Sequence, residues 1–301
     1  MDLRQLKYFV TIAERGSFSA AAQTLHIAQS ALSRHVKMLE LEFGATLLER
    51  GTRGVKVNEA GEVLLERARI ILRDVENLHA EISTQNKELT GVVRFAAAPS
   101  VAELLFAPIA HHFSKSHPRV TLVLKEALSE QAIDDLLAGA LDMAIVASVS
   151  SAKTNDLLRF IPKITDQAYV FGPPKAPDLS GKPLPKEQVR TLKLVYTPEI
   201  TAALGAPAPT EGYIQTNSID TLKNLVKAGL GYSVLPYSSL HEDLKAGKIS
   251  ALAIRDMTRP RMLALPVRRI LSRAAQELIR VMDEEIARLV KAGRLLPTQV
   301  K

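Results

Sequence analysis

The chain has 301 residues, a formal net charge of +7, 47% hydrophobic residues and 24% charged residues. That composition allows a sizeable core spread over about one to three domains, and it excludes global disorder. Cysteine is absent, which excludes disulfides, thiolate metal sites and a cysteine nucleophile.

A first amphipathic helix is predicted from the stripe Leu3, Leu6, Val10 and Ala13, widened by Phe9 and Ile12, and ending at Gly16. Ser17 or Ser19 can cap a second helix, whose Ala20, Ala21 and Ala22 let a neighbour approach closely. Leu25 closes that helix, and His26-Ile27-Ala28 form a turn. A third helix runs to Phe43, with Gly44 suited to the left-handed stop. Its Leu32, Val36, Leu39 and Phe43 recur at helical spacing and are expected to bury one face. Gln29, Ser30, Ser33, Arg34 and Lys37 lie on the other face and are the side-chain types that bond base edges and phosphates in a major groove. Two short strand-like pieces, Thr46–Arg50 and Val55–Val57, flank a glycine-containing turn and read as a wing carrying Arg50, Arg53 and Lys56. Arg50, Arg53 and Lys37 are expected to meet phosphates.

Asn58 is a good cap for a fourth, longer helix. From Glu59 to Leu89 the residues Leu64, Ala68, Ile71, Val75, Leu78, Ile82 and Leu89 alternate by fours and threes, with Gln85 in the one polar slot. That is a heptad seam. It could pack on its own domain, but directly behind a helix-turn-helix it favours dimerisation and the reading of two half-sites. Thr90-Gly91 breaks the helix, and strands then alternate with helices to Val290. That order implies an α/β domain with largely parallel sheets. Gly172–Pro185 is rich in proline and glycine and is read as a loop.

With these residues in place, the sequence resembles the LysR-type transcriptional regulators over almost its whole length. Leu6-Lys7-Tyr8-Phe9-Val10, Gly16-Ser17-Phe18-Ser19, Ala31-Leu32-Ser33, Leu47-Leu48 and Glu59-Ala60-Gly61 carry the likeness at the N-terminus. Gly139-Ala140-Leu141-Asp142, Gly229-Leu230-Gly231 and Leu235-Pro236 carry it further on. His26-Ile27-Ala28-Gln29 and Arg53-Gly54-Val55 look closest to the nitrogen-assimilation-control branch, while Ala28 stands where the family usually has Ser. The resemblance implies a winged helix-turn-helix (1–58), a linker helix (59–90) and an effector domain (91–301) of periplasmic-binding-protein type II architecture. That domain would have two subdomains, 91–162 with 267–301 and 163–266, crossed near Ile161–Thr165 and Ala264–Arg268. It further implies a homodimer or homotetramer on an interrupted inverted repeat of double-stranded DNA, contacting RNA polymerase. The same DNA face, Gln29, Ser30, Ser33 and Arg34, is implied by the family.

Ser100, Ser129 and Ser218 stand at strand-to-helix turns, and Thr197 and Thr216 at neighbouring strand ends. Such turns line the ligand crevice of open α/β sheets, and free helix amides with hydroxyl donors favour an anion. Each serine could equally only cap its own helix; the resemblance tips Ser100 and Ser129 toward binding, with Val101 and Ala147 beside them. A small organic acid is the expected effector. No cofactor or metal is expected: His111, His112 and His117 find no carboxylate or cysteine at ligand spacing. Asp2, Arg4, Lys7, Glu14 and Arg15 do not read as a secretory signal, so the expected location is the cytoplasm. The alternatives are a cytoplasmic solute-binding protein and an enzyme using the α/β cleft; no catalytic constellation supports the enzyme.

Overall fold

The computed structural model describes residues 1–51, 54–82, 88–147, 156–197, 200, 204–205, 213–267 and 269–295. Helix α1 (Leu3–Arg15) opens on a capping box, in which the Asp2 carboxylate accepts from Gln5 N at 2.7 Å and Gln5 Oε1 accepts from Asp2 N at 2.9 Å. Helix α2 (Phe18–Leu25) is capped by Ser17 Oγ, which accepts from Ala20 N at 3.4 Å. Helix α3 (Gln29–Phe43) follows Ala28, which offers no side-chain cap. Leu6, Phe9, Ile12, Ala21, Leu32 and Val36 fuse the three helices into one core. Phe43, expected in the buried stripe of α3, is 48% exposed. It is the last helical residue, and Gly44 turns the chain away before a neighbour covers it.

Strands β1 (Leu48–Gly51) and β2 (Gly54–Val57) form the wing, with Glu49 opposite Lys56 and Arg50 opposite Val55. Val55 N donates to Gly16 O at 2.8 Å, which ties the wing to the turn between α1 and α2. The approach is close: a Cβ on Gly54 would stand 2.6 Å from that same oxygen. Helix α4 (Glu59–Ile82) is capped by Asn58 as expected, its Oδ1 accepting from Gly61 N at 2.9 Å. Gly61 lies so near the Leu47 carbonyl that no Cβ fits.

The heptad seam divides. Ala68 is fully buried in the core of the N-terminal helices and Leu64 packs against it, so these two positions serve their own domain. Ile71 and Leu78 remain 39% and 53% exposed. Gln85 and the Ile82 side chain fall outside the described residues. One turn past Ala68, Arg73 enters the C-terminal domain. Its Nη1 donates to Leu141 O at 2.7 Å and pairs with Asp142 Oδ1 at 3.1 Å. Asp142 Oδ2 accepts from Arg94 N at 2.7 Å, so Asp142 is a structural residue. Arg269 donates to the carbonyls of Leu141 and Leu136 at 3.1 Å each. Burial pulls the Arg73 pKa down to about 10, and the Asp142 carboxylate opposes that pull.

The C-terminal domain is built on a six-stranded sheet. Its first half holds β3 (Gly91–Ala97), α5 (Pro99–Ser116), β4 (Val120–Glu126), α6 (Ser129–Leu137) and β5 (Met143–Ala147). The long strand β6 (Leu158–Gly172) leads into α7 (Lys186–Val189), β7 (Val195–Tyr196), β8 (Ile214–Gln215), α8 (Ile219–Lys227), β9 (Ser233–Pro236) and α9 (Tyr237–Lys245). The equally long β10 (Ser250–Pro266) returns to α10 (Arg273–Lys291). Strand order is β4-β3-β5-β10-β6-β9. Only the pairs around β3 are parallel in this sheet; β10 runs against β5 and β6, and β6 against β9. The sheet is therefore mixed, not largely parallel, because β10 re-enters from the second half in the opposite direction. The sequence pattern does not mark α7 and α9, and it splits β10 into two strands.

Strand alternation separates the two faces of the first half. Val93, Phe95, Met143 and Ile145 point to α5 and α10, while Ala96, Ala144 and Val146 face α6. A second cluster around Val170, Phe171, Val195, Leu222 and Ile254 fills the other half. Ile164, Leu263 and Leu265 belong to the first cluster and Ala168 and Ile254 to the second. The chain therefore crosses at Asp166–Gln167 and Thr258–Pro260. The second crossing precedes the expected window Ala264–Arg268, whose residues Ala264 and Leu265 already lie in the first-half cores. Asp166 is buried at the crossing; its carboxylate accepts from Ser238 Oγ at 3.0 Å. Burial raises its pKa, and the Arg261 guanidinium and the Ser238 bonds oppose that shift.

Removing one partner of a buried ion pair strands the other charge. Arg73→Ala is therefore expected to cost about 3–5 kcal/mol, read as a lower urea midpoint of the whole chain. Arg73→Lys, which keeps the charge but not the fork, should recover part of it. Gly61→Ala overpacks the contact with Leu47 and should cost about 1–3 kcal/mol in the same measurement.

Candidate nucleic-acid interface and ligand cleft

Helix α3 presents Gln29, Ser30, Arg34 and Lys37 to solvent, with Ser33 half-buried among them. The opposite face, Leu32, Val36 and Leu39, is in the core. The helix is thus held by one side and offered by the other, as the spacing predicts. At its start the chain bends sharply. His26 adopts a left-handed conformation at φ 53° and its N–H reaches the α2 carbonyls of Ala22 and Gln23. Ser19, Gln23, His26, Ala28 and Gln29 border a shallow open concavity at this turn. Since Ala28 gives no side-chain acceptor, the first-turn amides of α3 have none from their cap residue. Lys56 is exposed on β2. The Arg50 backbone is paired in β1; Arg53, and the side chain of Arg50, fall outside the described residues.

The structure sorts the expected effector residues by what their polar groups already do. Ser100 lies in the first turn of α5 and is 5% exposed; among the described residues no hydrogen bond occupies its hydroxyl. Val101 differs: its side chain is fully buried in the hydrophobic core and its amide bonds Ala98 O. Ser129 begins α6, and its Oγ accepts from Ala147 N at 2.9 Å, so Ser129 and Ala147 hold each other. Thr197, 6% exposed, accepts from Ile200 N at 3.3 Å. Thr216 Oγ1 accepts from Ser218 N at 3.2 Å, and Ser218 Oγ caps α8 by accepting from Thr221 N at 3.3 Å. For Ser218 the capping reading describes the geometry.

One residue escapes sequence reasoning. Lys223 on α8 is buried, and its Nζ pairs with Glu103 Oε1 of α5 at 3.1 Å. The pair bridges the two halves of the domain. Glu103 is three residues after Ser100, hence on the same face of α5. A signal exists in the chain: Lys223 adjoins Leu222 on the buried side of a strongly amphipathic helix, where an unpaired lysine is rare.

No helix among the described residues is long and apolar enough to cross a membrane. Residues 3–62 match the model of the bacterial regulatory helix-turn-helix protein, lysR family, and residues 86–287 match the LysR substrate binding domain. The nitrogen assimilation regulatory protein nac of Klebsiella aerogenes is 31% identical over 96% of both chains. Among solved structures, a full-length OxyR point variant from Pseudomonas aeruginosa aligns with a TM-score of 0.77 at 23% identity, covering 100% of this chain and 98% of that one. Full-length CbnR in complex with its target DNA aligns with a TM-score of 0.51 at 21% identity, over 95% of this chain and 100% of that one. With helix α3 held from behind, a wing at its flank and a two-part domain joined to it by α4, the chain belongs to the LysR family of DNA-binding transcriptional regulators.

Proposed function

We propose that paired copies of this chain read the two halves of an interrupted inverted repeat in the cytoplasm, under the control of a small organic anion bound between the halves of the C-terminal domain. The division is a reader at 1–58, a linker at 59–90 and an effector domain from residue 91. The exposed apolar positions Ile71 and Leu78 supply the face on which two linker helices meet. Further pairing to a tetramer, and contact with RNA polymerase, accord with the pattern of the family. Gln29 and Arg34 read bases, Ser30 and Ser33 anchor the helix, and Lys37, Arg50 and Arg53 neutralise phosphates. The uncapped amides of α3 after Ala28 add a phosphate seat that a serine side chain there would have filled.

The observation that carries the anion reading is Lys223, a buried cation facing the helix whose first turn holds Ser100, to whose hydroxyl no described residue bonds. An anionic ligand can take Lys223 from the half-exposed Glu103 and bond Ser100 and the α5 amides. Ser129 acts through Ala147, holding the adjacent wall. The signal is not thiol oxidation, since these 301 residues contain no cysteine.

Arg34→Ala is expected to weaken operator binding by about 1–3 kcal/mol in a gel-shift titration and to relax sequence preference. Lys37→Ala should weaken all sequences alike and flatten the salt dependence. Equal operator binding by wild type and Arg34→Ala would remove α3 as the reader of bases. For the cleft, Ser100→Ala and Lys223→Met should leave operator affinity intact and abolish the thermal stabilisation that organic acids confer on the wild type. Ser129→Ala should lower stability by about 1–2 kcal/mol through the stranded Ala147 amide. A wild-type response to organic acids in both Ser100→Ala and Lys223→Met would overturn the cleft assignment.

A further inference from the structure

At the end of α5 remote from Ser100, two histidines turn toward α10. His112 lies in the last two turns of α5 and His117 is its C-cap. His112 Nε2 and His117 Nε2 each lie 3.4 Å from the same oxygen, Glu277 Oε1. The three side chains are only 31%, 21% and 18% exposed. The spacing is long for hydrogen bonds, which cluster near about 2.9 Å. It matches two ligands on one tetrahedral ion: with metal–ligand bonds of about 2.1 Å, neighbouring ligand atoms stand about 3.4 Å apart. The three ligand atoms all fall within 4.8 Å of one another. Two imidazoles and one carboxylate form a donor set that zinc accepts, with water in the fourth position. Along the sequence no carboxylate stands at ligand spacing from these histidines; the fold brings one from α10.

We propose that His112, His117 and Glu277 bind a divalent transition-metal ion, zinc by preference, that pins the end of α5 to α10. Arg280 is the supporting residue. Its Nε donates to Glu277 Oε2 at 2.8 Å and its Nη2 to Oε1 at 2.6 Å. On metal binding Oε1 turns to the ion, while Arg280 keeps Oε2 and its second partner Glu284 and holds the carboxylate in place. Because α5 also carries Ser100, an ion at one end of this helix steadies the ligand cleft at the other.

The test is titration of the full-length, chelator-stripped protein with zinc chloride against a chromogenic zinc indicator, with thermal melting in parallel. One zinc per chain is expected, with a raised melting temperature. His112→Ala, His117→Ala and Glu277→Gln should each weaken binding by about tenfold or more. His111→Ala, an exposed neighbour on the same helix turn, should bind like the wild type. Glu277→Gln keeps the side-chain shape, so it reports on the site even if an alanine variant loosens α5. Failure of the wild type to bind zinc overturns the proposal, and so does binding that survives in both Glu277→Gln and the His112→Ala/His117→Ala pair.

Discussion

Helix α4 belongs to two cores at once, and the rest of the architecture depends on that constraint. Leu65 and Ala68 are buried with the reader helices. Arg73 is buried against the Leu141 carbonyl and Asp142 of the C-terminal domain. At about 1.5 Å per residue, the two anchor points are separated by little more than one helical turn. A helix that short cannot bend between them without losing backbone hydrogen bonds. Moving the reader relative to the effector domain therefore means breaking the Arg73 contacts or carrying the whole domain along. Either way, the orientation of α3 is energetically tied to the state of the sheet that includes Arg94, whose amide shares Asp142 with Arg73.

The same sheet links that anchor to the boundary between the two halves of the C-terminal domain. Strands β6 and β10 run through both halves, so the halves are joined by two paired strands and not by a loose linker. Their pairing is irregular between Ala253 and Thr258 and again at Arg261–Met262, on either side of the crossing. Buried Asp166, with Ser238 and Arg261 around it, occupies that point. A buried polar cluster of this kind tolerates few alternative geometries, because each must keep its partners in place. Under the proposed control by a bound anion, closure about such a hinge would be an exchange between discrete arrangements, shifted by as much as the anion prefers one of them. The Lys223–Glu103 pair also joins the two halves and opposes their drifting apart.

Reader and wing show how close approach replaces bulk. The α2 face is alanine, and the wing meets the α1–α2 turn where Gly54 packs on Gly16 O. Such contacts leave little free volume between wing and turn, while α3 is held by the Leu32, Val36 and Leu39 side chains buried against α1 and α2. A helix packed this firmly suits the proposed reading of bases, since bonds to base edges tolerate little misplacement.

Local chemistry is enough to place the reader. Periodicity, the Ser17 and Asn58 caps and the wing turn all act within a few residues, and they locate α1 to α4 and the polar face Gln29–Lys37. Strands that set apolar residues against two covered faces, such as Gly91–Ala97 and Met143–Ala147, are legible for the same reason. Features that depend on distant chain segments are not. Whether Ala68 faces a partner or its own reader, and which way β10 runs, are decided by contacts far apart in sequence. So is the exposure of Phe43, and so are the pairings of Lys223 with Glu103 and of His112 and His117 with Glu277. Residue spacing along one chain segment reports which side chains share a face. Only the packed structure decides what that face meets, because partner choice is set by the summed burial and electrostatics of elements that the sequence keeps apart.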